Sequence, residues 1–231
     1  MDEYFRKTKR TFEQVTGMEN NTEKKQKKPN SKKRILQTAV SLFASHGFAE
    51  TGMRELAAKA EVNLSMVNYF FGSKKGLLKE ILDSFLSGYL AIAGEQLAGT
   101  GDLQSRLERF IAGAVSYFDA ERNSLIITIS ELPHDDPEIV EHKAAWARQM
   151  VEIVNREICL PHAAAGGQHI PPTCLAPMLT SLMASRFLFT PVMEKVEAGS
   201  SNAVNTEDYI KMIVRILLQG ITGSDNKAPN S

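Results

Sequence analysis

A chain of 231 residues is long enough for a small binding head plus a second domain with its own core. With 43% hydrophobic and 23% charged residues it has the make-up of a water-soluble globular protein, and no stretch approaches about eighteen consecutive apolar residues, which argues against a membrane span. The zero net charge hides a division: residues 1–79 hold 16 Lys and Arg against 8 Asp and Glu, whereas residues 80–231 hold 11 against 19. A polyanion is drawn to the first part and repelled by the second.

The first residues, Met1 to Lys7, lack the apolar run of a secretion signal, so the expected compartment is the cytoplasm. Residues 1–30 read as a basic, disordered tail in which Phe5, Phe12 and Val15 form at most a marginal helix, and Met18 is an alternative start. Helical periodicity begins at Ser31, with Ile35, Ala39, Leu42 and Phe43 on one face and Gly47 to end it. Thr51 is the expected N-cap of a helix over 52–60, and Asn63 that of a helix over 64–71. Gly72 breaks the chain, and Ser73 caps a fourth helix reaching about Leu97, with Leu78, Ile81, Leu82, Phe85, Leu86 and Tyr89 as its apolar stripe.

Five further helices are predicted over 102–119, 121–132, 137–159, 173–196 and 206–219. Asp136, Pro137 and Glu138 form a helix start, Pro161 to Pro172 a loop, and residues 224–231 a polar tail. No strand alternation appears, so the predicted fold is all-α with about nine helices. It divides into a three-helix head over 31–76 and a larger helical domain over 77–223.

The head has the pattern of a helix-turn-helix. Leu56, Ala57, Ala60, Val62, Val67 and Phe70 supply the apolar crossing of two short helices, with Ala57 at the tightest point. Asn63, Leu64, Ser65, Met66, Asn68 and Tyr69 are left to face outward, where such a motif enters the major groove. The run from Thr51-Gly52-Met53-Arg54-Glu55-Leu56-Ala57 to Tyr69-Phe70-Phe71-Gly72-Ser73-Lys74-Lys75-Gly76-Leu77-Leu78 closely resembles the signature of the TetR family of transcriptional regulators. The motif covers about residues 31–80; beyond it only length and helix count agree.

The resemblance implies a homodimeric repressor with a DNA-binding head and a divergent, ligand-binding and dimerising second domain. By family position Thr51 and Tyr69 are phosphate contacts. Lys74, at a helix N-terminus, is another. Asn68 suits an adenine edge, and Leu64 or Met66 a thymine methyl. The plain alternatives are that Asn63 only caps and Tyr69 only packs. Three positions depart from the family's habit: Glu61 where Gly is usual, Leu64 where a basic residue is frequent, and Asn68 where Tyr is frequent. They leave the operator sequence open. Lys24, Lys25, Lys27, Lys28, Lys32, Lys33 and Arg34 form either an arm for DNA phosphates or a solvated tail.

In the second domain Phe110, Tyr117, Phe118, Ile127, Trp146, Met150, Met183 and Phe187 are candidates to line a pocket for an apolar or aromatic small molecule, against the alternative of ordinary core packing. The stripes Leu175–Leu188 and Ile210–Ile221 either pair with their copies in a dimer or bury within one chain. Cys159 and Cys174 read as buried free thiols. Two competing functions carry less: a nonspecific DNA-packaging protein, and a metal-dependent enzyme built on His134, Asp135, Glu138 and His142. Neither a nucleophile nor a ligand set at fixed spacing accompanies that cluster, so no catalytic residue, metal or cofactor is assigned.

Overall fold

The computed structural model describes residues 23–130, 136–196 and 205–222. The expected tail through residue 22, the metal candidates His134 and Asp135, and the C-terminal tail lie outside them. The described residues are helical, with no strand among them.

Helix α1, Glu23–His46, starts ahead of the predicted Ser31. Its predicted face is correct: Ile35, Ala39, Leu42 and Phe43 are all buried. Gly47, at φ 85°, ends it by bonding back to the Phe43 carbonyl, a conformation glycine adopts without penalty. Helices α2, Met53–Lys59, and α3, Leu64–Phe71, follow, then α4, Lys74–Leu97. The Ser73 hydroxyl accepts the Gly76 N–H at 3.0 Å and so starts α4 where the sequence places it.

Beyond these come α5, Leu103–Ala120, α6, Arg122–Ser130, and α7, Pro137–Val154. Asp136 caps α7 by accepting the N–H groups of Glu138 and Ile139, with Pro137 at the first turn. The predicted single helix over 137–159 does not run straight. It passes through a π-helical turn, Asn155–Cys159, into α8, Leu160–Ala164, where a loop was expected. Pro161 has no N–H to offer the Glu157 carbonyl four residues back. An Arg106 guanidinium nitrogen approaches that carbonyl instead, at 3.4 Å. Helices α9, Pro172–Val196, and α10, Thr206–Thr222, complete the body.

Two cores result. The body core gathers Phe85, Tyr89, Ala93 and Leu97 of α4 with α5, α7, α9 and α10. The head core joins α1, α2 and α3 to Leu77, Leu78, Ile81 and Leu82 of α4, and also takes in Ile127 of α6 and Ile139 of α7. Packing therefore does not stop at residue 76; α4, about 36 Å long, belongs to both cores. Helix α9 is long and apolar enough to cross a bilayer by length and composition. Its face of Leu175, Ala176, Leu179, Met183, Ala184 and Phe187 lies buried in the body core.

Candidate nucleic-acid interface

The turn between α2 and α3 closes as a Schellman motif. The Val62 N–H bonds to the Ala57 carbonyl and the Glu61 N–H to the Ala58 carbonyl, each at 3.0 Å. Such a motif needs a left-handed residue after the cap, and Glu61 takes it with φ 50°. Glu61 is the only non-glycine with positive φ among the described residues. Asn63 then caps α3: its Oδ1 accepts the Met66 N–H and the Ser65 hydroxyl, both at 2.8 Å. Leu56, Ala57, Ala60 and Val67 fill the crossing as predicted, joined by Phe71, while Val62 and Phe70 are only partly buried.

The outward face is narrower than the sequence suggested. Asn63, Ser65, Asn68 and Tyr69 are exposed, Tyr69 at 71%, whereas Leu64 and Met66 lean back onto the head core. Thr51 requires a correction. It is 2% exposed, and its hydroxyl donates to the Gly47 carbonyl at 2.8 Å, so it turns inward to the end of α1 instead of outward to a phosphate. The N-cap of α2 is Gly52, with no side-chain cap. Lys74 also has a partner inside the protein: its Nζ donates to the Ala49 carbonyl at 2.9 Å and sits 4.7 Å from the Phe48 ring centre. Partial burial lowers its pKa from the ordinary lysine value, against an opposing pull from Glu50. Lys33 is exposed on α1, while Lys32 is paired with Glu80 at 2.7 Å.

In the body, the structure brings Phe110, Phe118, Met150, Met183 and Phe187 into one cluster, with Tyr117 against it. The hub of this cluster is Phe85 and Tyr89 of α4, which the sequence placed on that helix's apolar stripe but not among the pocket candidates. Phe85 stacks on Tyr117 at 5.4 Å, and Tyr89 meets Phe110 at 6.0 Å and Phe118 at 5.0 Å. The Tyr89 hydroxyl lies 3.0 Å from that of Thr180, and burial holds its pKa far above the ordinary phenol range. The Tyr117 hydroxyl donates to the Phe85 carbonyl at 3.0 Å; burial first, and Glu121 second, push its pKa up to about 12.

Two candidates fall elsewhere: Ile127 belongs to the head core, and Trp146 lies between α4 and α7. The Trp146 indole and His142 Nε2 both meet Asp83 Oδ1 at 2.7 Å. Further along the same seam, Lys75 pairs with Asp136 at 2.6 Å and Lys79 with Glu138 at 2.7 Å. Of the four residues once open to a metal reading, Glu138 and His142 thus have other partners, and His134 and Asp135 lie outside the described residues; among the described residues no three such groups are placed to hold an ion. Cys159 is buried, which raises its thiol pKa, but Cys174 is exposed, contrary to expectation.

Fold and site together define an all-helical arrangement, among the described residues, with a helix-turn-helix head joined to a helical body through α4. Residues 35–81 match the family model described as bacterial regulatory proteins, tetR family. Among curated relatives, the chain is 33% identical over 93 residues to a probable HTH-type transcriptional regulator, YttP, of Bacillus subtilis, covering 39% of this chain and 44% of that protein. It is 28% identical over 100 residues to the HTH-type transcriptional repressor KstR2 of Rhodococcus jostii, covering 43% and 49%. The chain thus spans about half the length of these relatives. Over the whole fold it is similar to the transcriptional regulator FadR of Bacillus subtilis, solved with stearoyl-CoA, with a TM-score of 0.64 and 16% identity over 83% of this chain and 98% of that one.

Proposed function

We propose that this protein is a sequence-specific DNA-binding transcriptional regulator, a homodimeric repressor that acts in the cytoplasm and leaves its operator on binding a small apolar or aromatic ligand. The observation that carries this reading is the capped α3 with Asn63, Ser65, Asn68 and Tyr69 exposed along it, in a head that matches the family model. The basic surplus of residues 1–79 supports approach to DNA, and the acidic surplus of the rest favours an orientation with the head toward it. Two heads on one dimer read a palindrome with half-sites about one helical turn apart, 34–36 Å.

The aromatic and methionine cluster around Phe85 and Tyr89 supports an apolar ligand, since methionine and stacked rings adapt to such a surface. A fatty-acyl compound in one structural neighbour points the same way. The ligand acts by favouring a head spacing that no longer fits the operator.

The test is selection from a random duplex pool by the purified full chain. Enrichment of a palindrome is expected. Equal affinity for enriched and random DNA would instead mark a nonspecific DNA-packaging protein and defeat the regulator reading.

A further inference from the structure

Arg34 on α1 is distant in sequence from the turn it touches. Its Nε donates to the Ala60 carbonyl at 2.7 Å, and a terminal nitrogen donates to the Glu61 carbonyl at 3.0 Å. These carbonyls stand at the negative end of α2, where no helical N–H follows to meet them. Glu61 between them holds a left-handed conformation that is strained for a non-glycine residue. Such a residue persists only where its surroundings impose the conformation. The Schellman bonds hold it from within the turn, and the guanidinium adds a hold from outside: a rigid fork grips two successive carbonyls, which a lysine ammonium does not reproduce. Two residues beyond Glu61, Asn63 caps α3, so the turn fixes the direction in which Asn63, Ser65 and Asn68 leave the head. Arg34 itself is half-buried and spends its donors on backbone.

We propose that Arg34 is a positioning residue for the DNA-reading helix, acting through the turn from α2 to α3 and setting sequence discrimination rather than general DNA affinity. The proposal rests on the DNA-binding reading above. Its test uses the full chain, Arg34→Lys, and Arg34→Lys combined with Glu61→Gly. The probes are the duplex enriched by the unaltered chain and a scrambled duplex of the same composition. Anisotropy titrations are run across a salt series at a temperature where circular dichroism shows every variant folded.

Arg34→Lys is expected to weaken binding to the enriched duplex by about tenfold, the scale of one base contact, and to leave the scrambled duplex and the salt slope unchanged. Glu61→Gly is expected to restore most of the loss, because glycine needs no holder at that φ. An equal loss on both duplexes with a slope lower by about 1 would make Arg34 a phosphate contact and overturn the proposal. Unchanged affinity for both with a lower melting temperature would reduce it to a stabiliser of the head, which also overturns it. If the unaltered chain enriches no duplex, the DNA-binding reading itself fails before Arg34 is altered.

Discussion

Lys74 stands at the first position of α4 with its ammonium on the Ala49 carbonyl and over the Phe48 ring. In that pose it pins the loop between α1 and α2 to the start of α4, and its charge remains beside a helix N-terminus suited to a phosphate. Lys74→Ala is expected to cost about 0.5–1 kcal/mol of stability, from the lost ring and carbonyl contacts. It is also expected to lower the salt slope of DNA binding by about 1. Chemical denaturation and a salt titration read the two effects separately; a slope unchanged beside lower stability would leave Lys74 with the pinning role alone. Residues whose partners are near in sequence were legible from the chain: Asn63, Ser73 and Asp136 cap the helices they precede, because a cap bonds within about three residues. Lys74 and Arg34 were not, because their bonds reach 25 and 26 positions and only the packed head brings those carbonyls near; Thr51 was misplaced because its hydroxyl turns back to the Gly47 carbonyl at the end of α1 and not forward into α2.

Helix α4 crosses α5 where Gly88 passes the Tyr117 ring. A Cβ at Gly88 would lie 2.4 Å from the Tyr117 hydroxyl and 2.7 Å from its Cζ. Gly88→Ala therefore must displace the ring, breaking its hydrogen bond to the Phe85 carbonyl and its stack on Phe85. The expected cost is about 1–3 kcal/mol, seen as a lower denaturation midpoint with an unchanged m-value. A variant as stable as its parent would mean that Tyr117 swings outward freely and that the crossing tolerates a methyl. The element limits followed from capping and periodicity, so α3 and α4 were placed correctly to the residue. The π-helical turn after α7 was not legible, because it depends on what replaces the N–H that Pro161 lacks, and that partner is Arg106 of α5. For the same reason the aromatic hub was only half visible: periodicity put Phe85 and Tyr89 on an apolar stripe, but not against Phe110, Tyr117 and Phe118.

At the scale of the molecule, the apolar stripes once open to dimer pairing turn mostly inward: Leu175, Leu179, Met183 and Phe187 of α9 and Ile213, Val214 and Leu217 of α10 are buried within one chain. The opposite faces carry the exposed apolar residues. On α9 these are Met178, Phe189, Val192, Met193 and Val196, and on α10 Met212 and Ile216, one turn apart. Exposed apolar residues of this kind suit an interface, and on the dimer proposed above a second copy of the chain covers them. Ile216 and Leu217 offer a paired test, being adjacent in sequence but about 100° apart around the helix, 49% and 6% exposed. On the proposed dimer Ile216→Glu would place an unpaired charge in the seam between copies, at a cost of about 3–5 kcal/mol to association, and leave the single chain's core intact. Sedimentation equilibrium is expected to show a folded monomer, with affinity for the enriched palindrome lost and weak half-site binding retained. Leu217→Glu places the same charge in the body core and is expected to abolish the cooperative thermal transition instead. Should Ile216→Glu sediment as the parent does, the seam lies on another face, and the spacing of the two heads has to be sought there.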